Sequence, residues 1–416
     1  MMTNSPAVAA DTSGTAQTLR PAPLWTRSFV LLCIITILCT ASHQLITVAL
    51  PLFVQSLGGS LVLAGLVFTS FSATSFVLRP LIGHLTDSWS VRGTLLSGGA
   101  VIGFMGLALA APSLWIVLVA NALRGVGWGG FNTAIATGIA LTIPPQRRAE
   151  ASGYSSVAST TATALAPAFA LWLLDSTGEF TLIFALAGAA GLAAAVTTAL
   201  LPRIGKGATT FRGAFSWPRH GISLDMFVDR PVLLASLLLL CVTLSTPVTF
   251  AFVPVHARAV GVDNIGWYFV AGGVTSVVSR LLLGRLVDRT SRGIWIAAGY
   301  AVLIVGFVVF ILAQGIEAFV LAGVVNAFGQ SLIQPALMAL AIDRADRTRM
   351  GKAMATYSMF FRAGEGLGAP IAGALVAAFG FPGMYAGALV CAAVGLCLTA
   401  INWHTVGHSS VRQAAG

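Results

Sequence analysis

Charge is scarce in this chain. Only 9% of its 416 residues are Asp, Glu, Lys or Arg, against about 25% in an ordinary soluble domain. A surface without charges is one that water does not cover, which excludes a soluble enzyme or a soluble binding module. Cysteine is also sparse. The five present (Cys33, Cys39, Cys241, Cys391 and Cys397) lie inside apolar runs without metal-ligand spacing, so they read as small core residues rather than a metal site or disulfide framework. Strict apolar/polar alternation is missing too, which argues against a membrane β-barrel. A phosphate-binding loop is absent: "IGKGATT" lacks the spacing of a Gly-x4-Gly-Lys-Ser/Thr motif, so ATP is not the expected energy source.

What the chain has in abundance is apolar sequence. Hydrophobic residues make up 57% of it, and the mean hydropathy is +0.89. A helix crosses the hydrocarbon core of a bilayer in about 20 residues. Apolar runs of that length predict spans over 29–52, 61–84, 93–111, 113–141, 150–174, 179–201, 231–255, 264–285, 293–314, 317–342, 353–378 and 382–403. Helices satisfy their backbone groups internally, as lipid requires, so the expected fold class is an all-α membrane protein of twelve transmembrane helices. The first run is followed by many others and reads as a retained helix, not a cleaved signal. Residues 1–27, rich in Ser, Thr, Pro and Ala, read as a disordered cytoplasmic tail. Residues 28–201 form one six-helix half, 202–230 a central cytoplasmic loop, 231–404 the second half and 405–416 a second tail.

The net charge of +10 is not a nucleic-acid signal, because the basic residues are scattered over short loops. With both termini inside, one face collects Arg27, Arg92, Arg147, Arg148, five basic residues of the central loop, Arg285, Arg289, Arg292, Arg344, Arg347, Arg349 and Lys352. The other holds Arg258 beside Asp175, Glu179, Asp263 and Glu317. Lys and Arg favour the cytoplasmic side of short loops. The expected placement is therefore multi-pass in a membrane, with both termini cytoplasmic. The bilayer is the expected environment, with a small-molecule substrate, a monomeric chain and no nucleic acid.

Two segments recur. Arg79-x3-Gly83-x-Leu85-x-Asp87 reappears as Arg280-x3-Gly284-x-Leu286-x-Asp288, shifted by 201. "YSSVASTTATALAP", from Tyr154, aligns with "YSMFFRAGEGLGAP", from Tyr357, shifted by 203. Anchors in the second and fifth spans of each set imply duplicated, pseudo-symmetric halves. Transporters built from such repeats bind substrate near the midplane between them and rock to expose it to each side in turn.

The segments "RPLIGHLTDSWSVRG" and "RLLLGRLVDRTSRG" resemble the loop motif of the major facilitator superfamily, roughly G-x-L-x-D-R-x-G-R between the second and third helices and again between the eighth and ninth. "LPLFVQSLGGSLVLAGLV", "NALRGVGWGG" and "ALAPAFALWL" are similar to bacterial members related to sugar-efflux and multidrug-efflux permeases. The resemblance covers Arg27 to Trp403 and implies a secondary transporter, a proton-coupled exporter of a small organic molecule, with no cofactor beyond the proton gradient. Two features depart from the pattern. Ser88-Trp89-Ser90 replaces the basic cluster of the first loop motif. The Gly-Pro ending expected in the fifth helix of proton-driven drug antiporters is Ala166-Pro167 here, while "GEGLGAPIAG" in the eleventh span carries the glycines. A proton-coupled or facilitative uptake permease is the nearest alternative, and a non-transporting receptor or scaffold a more distant one.

Candidate site residues fall into two groups. Arg79, Gly83, Asp87, Arg92, Arg280, Gly284, Asp288 and Arg292 form an expected cytoplasmic gating motif, in which the Asp carboxylates meet Arg79, Arg92 or helix N-termini. The plainer alternative is that Arg79 and Arg280 anchor helix ends by snorkelling. In the cavity group, charge within a span is costly and marks function. Glu365, the only acid near the middle of a span, shares a helix face with Arg362 at i and i+3: a proton site tuned by Arg362, or a permanent ion pair. Arg124, amid Gly125, Gly127 and Gly129, is a post facing the cavity or a hub binding backbone carbonyls. His43, with Gln44 beside it, binds substrate or a proton, or is merely hydrogen-bonded. Asn121, Asn132, Asn326, Gln330 and Gln334 are candidate cavity-lining groups or interhelical contacts.

Overall fold

The computed structural model describes residues 24–78, 82, 86, 89–144, 147–202, 229–346 and 350–406, with the backbone alone for 148–149, 283–289 and 351. Helices account for nearly all of it: α1 Arg27–Ser56, α2 Leu61–Val77, α3 Val91–Ala108, α4 Leu114–Thr142, α5 Arg148–Thr177 and α6 Phe180–Ala199 in the first half. The second half holds α7 over Arg230–Ala259, α8 Gly266–Arg289, α9 Arg292–Leu312 and α10 Ile316–Arg344. The continuous stretch Met350–Ile401 is two helices, because Gly380 at φ 71° breaks it. These are α11 (350–379) and α12 (381–401), and a short α13, Trp403–Val406, follows. The fold is thus an all-α membrane protein with twelve passes in two six-helix halves. The tails and most of the central loop lie outside the described residues, as do Arg79, Gly83 and Asp87.

Local chemistry sets the helix starts. Thr26, Ser60 and Ser90 each use a side-chain hydroxyl to accept the backbone N–H three residues on, from Phe29, Leu63 and Gly93, as N-caps do. At the opposite end, Arg92 donates to the carbonyl of Ala199 at the end of α6, and Arg344 to that of Thr405. A cation at a helix C-terminus satisfies carbonyls that have no partner within the helix.

Within the first half, α3 packs on α4 and α6, α1 on α5 and α6, and α2 on α4; in the second, α9 packs on α10 and α12, α8 on α10, and α7 on α11. Gly103 and Gly191 bring α3 and α6 nearly backbone to backbone. Between the halves, α2 lies on α11, α5 on α8, and α1 on the middle of α7. Large apolar side chains such as Trp115, Phe104, Leu281 and Phe379 are exposed, as befits a surface solvated by lipid rather than water.

The halves meet most tightly in the part of the membrane away from the chain termini. Gly65 of α2 lies against the backbone of Ala369 and Pro370, and Gly373 of α11 against Leu61 and Val62. Gly266 and Gly273 of α8 lie on Ala168 and Ala164 of α5. Arg258 at the end of α7 bonds Asp175 at the end of α5 at 2.7 Å. The described residues are therefore arranged with the far face closed.

Candidate functional site

A cavity of about 430 Å3 lies between the halves, within the range of roughly 300–1,000 Å3 typical of small-molecule sites. Its lining comes from α1, α2, α4, α5, α7, α8, α10 and α11, while α3, α6, α9 and α12 contribute none of it. The polar lining follows helical spacing. On α1 it is Thr40, His43, Gln44 and Thr47; on α5 it is Ser156, Ser159, Thr160 and Thr163. Both sets fall at i, i+3, i+4 and i+7, one face of a helix. Sequence reasoning missed the α5 stripe, although that spacing was the signal to find it. Ser159 and Arg362 stand 203 positions apart, the repeat interval, and both line the cavity.

Glu365 and Arg362 are together on this wall. Arg362 Nη1 donates to Glu365 Oε2 at 2.6 Å, and the two side chains are 11% and 18% exposed, respectively. The Arg362 guanidinium lies 5.3 Å from the centre of the Phe361 ring, a cation–π arrangement. The flanking glycines set the pair's depth: Gly366 lies against Ser72 of α2, and Gly364 against Thr243 of α7. Thr69 donates to the Gly366 carbonyl at 2.6 Å, tying α2 to α11 beside the pair.

His43 lines the cavity as a flat wall. Its ring stacks on Phe71 at 4.8 Å and Trp128 at 4.3 Å, and Nδ1 is buried without a hydrogen-bond partner among the described residues. Gln44 is beside it on the lining. Helix α7 supplies Thr246, Pro247 and Phe250 where it loosens into a π-turn, Val248–Phe252. The Tyr268 hydroxyl donates to the Thr249 carbonyl there at 3.1 Å, satisfying one of the carbonyls in the loosened turn.

Arg124 does not face the cavity as a post. It is 3% exposed, behind the lining, with its guanidinium 4.9 Å from the centre of the Phe71 ring. The alternative reading, a hub for backbone carbonyls, also fails among the described residues: Nε and Nη1 are buried without partners. The cause of its depth is the glycine beside it. A Cβ at Gly125 would run into the carbonyl of Phe71 and the hydroxyl of Thr74, so α4 sinks onto α2 and takes Arg124 with it.

The amides divide. Gln330 and Gln334 line the cavity. Asn326 lines an adjoining lobe of about 100 Å3, where its Oδ1 accepts from Gln330 at 2.9 Å. Asn121 does not reach the cavity; its amide donates to the Val67 carbonyl at 2.7 Å and fastens α4 to α2. Asn132 bonds back to the Trp128 carbonyl of its own helix.

Of the expected gating motif, Arg280 is placed differently from the expectation. It lines the cavity, and Nη1 donates to Thr160 of α5 at 2.8 Å, across the halves. It sits more than two turns before the end of α8, exposed and bonded across the halves, so it is not a helix-end anchor. Gly284 and Asp288 fall on the last turns of α8, described by backbone alone. Arg92 is engaged with the end of α6, and Arg292 forms an ion pair with Asp343 of α10 at 3.5 Å. No group of three or more His, Cys, Asp or Glu side chains able to hold a metal occurs among the described residues.

The sequence profile described as "Major Facilitator Superfamily" matches residues 32–316 and 252–411. The chain belongs to this superfamily. It is a membrane transporter, not an enzyme. An uncharacterized transporter of the superfamily from Burkholderia mallei is 24% identical over 420 residues, which cover 98% of this chain and all of that protein. Among solved structures, a bacterial homologue of the human lysosomal transporter Spinster, inward-facing and occupied, superposes with a TM-score of 0.75 at 15% identity, covering 92% of this chain and 98% of that one. The nucleoside transporter NupG superposes at 0.71 with 12% identity, covering 91% and 99%. At these identities the likeness is one of fold.

Proposed function

We propose that this chain carries a small organic molecule across the bacterial inner membrane by alternating access, coupled to protons through Glu365, with both termini cytoplasmic. The observation that carries the reading is the Arg362–Glu365 pair on the wall of the central cavity. Glu365 is the one carboxylate among the described lining residues, and it is held where the halves separate. Protonation breaks its attraction to Arg362, and the freed guanidinium changes what the cavity holds. The cationic and titratable groups around it are Arg362 on its own helix, His43 on α1, Arg280 on α8 and, behind the wall, Arg124 on α4. In this orientation, closure of the far face makes the described arrangement inward-facing.

Export is the direction that the likeness to sugar-efflux and multidrug-efflux permeases supports. One observation favours the second reading, proton-coupled uptake: arginines in and behind the cavity outnumber its carboxylate. A substrate drawn to Arg362 would release Glu365 to take a proton, so substrate and proton would travel together.

The test uses inside-out membrane vesicles containing the chain, with an acid lumen and a panel of exported metabolites and toxic compounds added outside. Compound-dependent loss of the proton gradient supports exchange, and compound-dependent lumen acidification supports co-transport. No response to any compound contradicts proton coupling.

A further inference from the structure

The balance of charge around the cavity points to the class of its ligand. Arg280 and Arg362 line it, and Arg124 lies one aromatic ring behind it, against the single carboxylate of Glu365. Each guanidinium has bonding capacity left over. Arg280 makes its hydrogen bond to a neutral hydroxyl, that of Thr160. Arg362 gives Nη1 to Glu365 while its Nε is buried without a hydrogen-bond partner among the described residues. Arg124 forms no ion pair or hydrogen bond among the described residues, and two of its nitrogens are buried. Positive charge buried without compensation, as at Arg124, is costly in a membrane interior, and a bound anion offsets it; Arg280 is exposed and faces the cavity, where an anion can meet it.

We infer that the central cavity binds an organic anion, a carboxylate on a flat apolar body, with the carboxylate at Arg280 and Arg362 and the body against the wall of His43, Phe71 and Trp128. This rests on the reading of the cavity as the transport site. Guanidinium groups suit carboxylates because their planar fork matches two oxygens at once. The hydroxyls of Ser159 and Thr160 add neutral donors on the same side as Arg280. The ring wall supplies a broad planar surface with few hydrogen-bonding demands, which suits an aromatic or conjugated body. A cationic substrate would meet like charges on two walls and only an acid that Arg362 already occupies.

The test is thermal stability of the full-length chain in detergent, titrated with benzoate, 1-naphthoate and indole-3-acetate and with the amide and amine analogue of each. At least one carboxylate is expected to raise the melting temperature saturably, with its amide and amine binding tenfold or more weakly. Arg280→Gln is expected to weaken that carboxylate by tenfold or more, and Arg280→Lys to retain part of the affinity. Glu365→Gln is expected to bind the carboxylate at least as well as the parent. Failure of proton coupling would therefore leave this measurement standing, and failure of anion binding would leave proton coupling standing. The inference is overturned if no carboxylate stabilises the chain, if an amide or amine matches its carboxylate, or if folded Arg280→Gln binds like the parent. Should Arg280→Gln not fold, the comparison of carboxylate with amide on the parent chain decides.

Discussion

Arg258 and Asp175 join the two halves at the far end of the molecule, Nη2 to Oδ1 at 2.7 Å, from the end of α7 to the end of α5. Neither residue lines the central cavity. Both side chains are about one-third exposed, and a pair of that kind contributes about 0.2–1 kcal/mol. Arg258→Gln or Asp175→Asn is expected to shift the balance toward the far-open conformer by up to about fivefold. Distance measurements between spin labels on the far ends of α5 and α7 check it, and an unchanged distribution in both variants would mean that helix packing alone closes this face.

Packing there is tight enough to test separately. A Cβ at Gly65 would strike the carbonyl of Ala369, and one at Gly373 that of Leu61. Gly65→Val is therefore expected to hold α2 and α11 apart and favour the far-open conformer. In a cysteine-free background carrying Ser72→Cys, the label should react faster from the far face when Gly65→Val is present. Equal labelling rates would show that α2 and α11 accommodate the side chain without opening.

Arg124 gives a prediction opposite in sign to the usual cost of losing a buried charged residue. Its contact with Phe71 is worth about 0.5–2 kcal/mol, but burying an unpaired cation costs several kcal/mol. Arg124→Met is expected to leave thermal stability unchanged or raise it, while weakening anion binding. A large loss of stability would reveal a structural partner that the described contacts do not contain.

Much of the fold was legible in the sequence. Length and hydropathy located eleven of the twelve passes to within a few residues, because lipid leaves a spanning segment no other way to satisfy its backbone; the second starts as expected at Leu61, and its expected end at residue 84 lies outside the described residues. Placement of side chains was less legible. Arg280 sat in a motif copied from a loop, and nothing local distinguished a surface clasp from a cavity residue; the path of α8 along α5 decides it. Arg124 lay among glycines, which signalled close packing but not which side the arginine would take. The glycines of "GEGLGAPIAG" are where α2 and α7 crowd α11 around Glu365: Gly364 and Gly368 lie on α7 and Gly366 on α2. The hydroxyls of α5 were readable from their i, i+3, i+4, i+7 spacing. In a chain where every span is apolar, the polar stripe and not the hydrophobic one marks the functional face.

The central claim, that Glu365 couples a proton to movement of the halves, is tested most directly by Glu365→Gln in proteoliposomes with a transported compound from the vesicle screen. Glutamine keeps an oxygen that accepts from Arg362, which spares the chain the roughly 3–5 kcal/mol that stranding a buried charge costs, but it carries no titratable proton. The account predicts that compound-for-compound exchange persists and that accumulation driven by a proton gradient disappears. Gradient-driven accumulation equal to that of the parent would contradict it and make the pair of Arg362 and Glu365 a structural one.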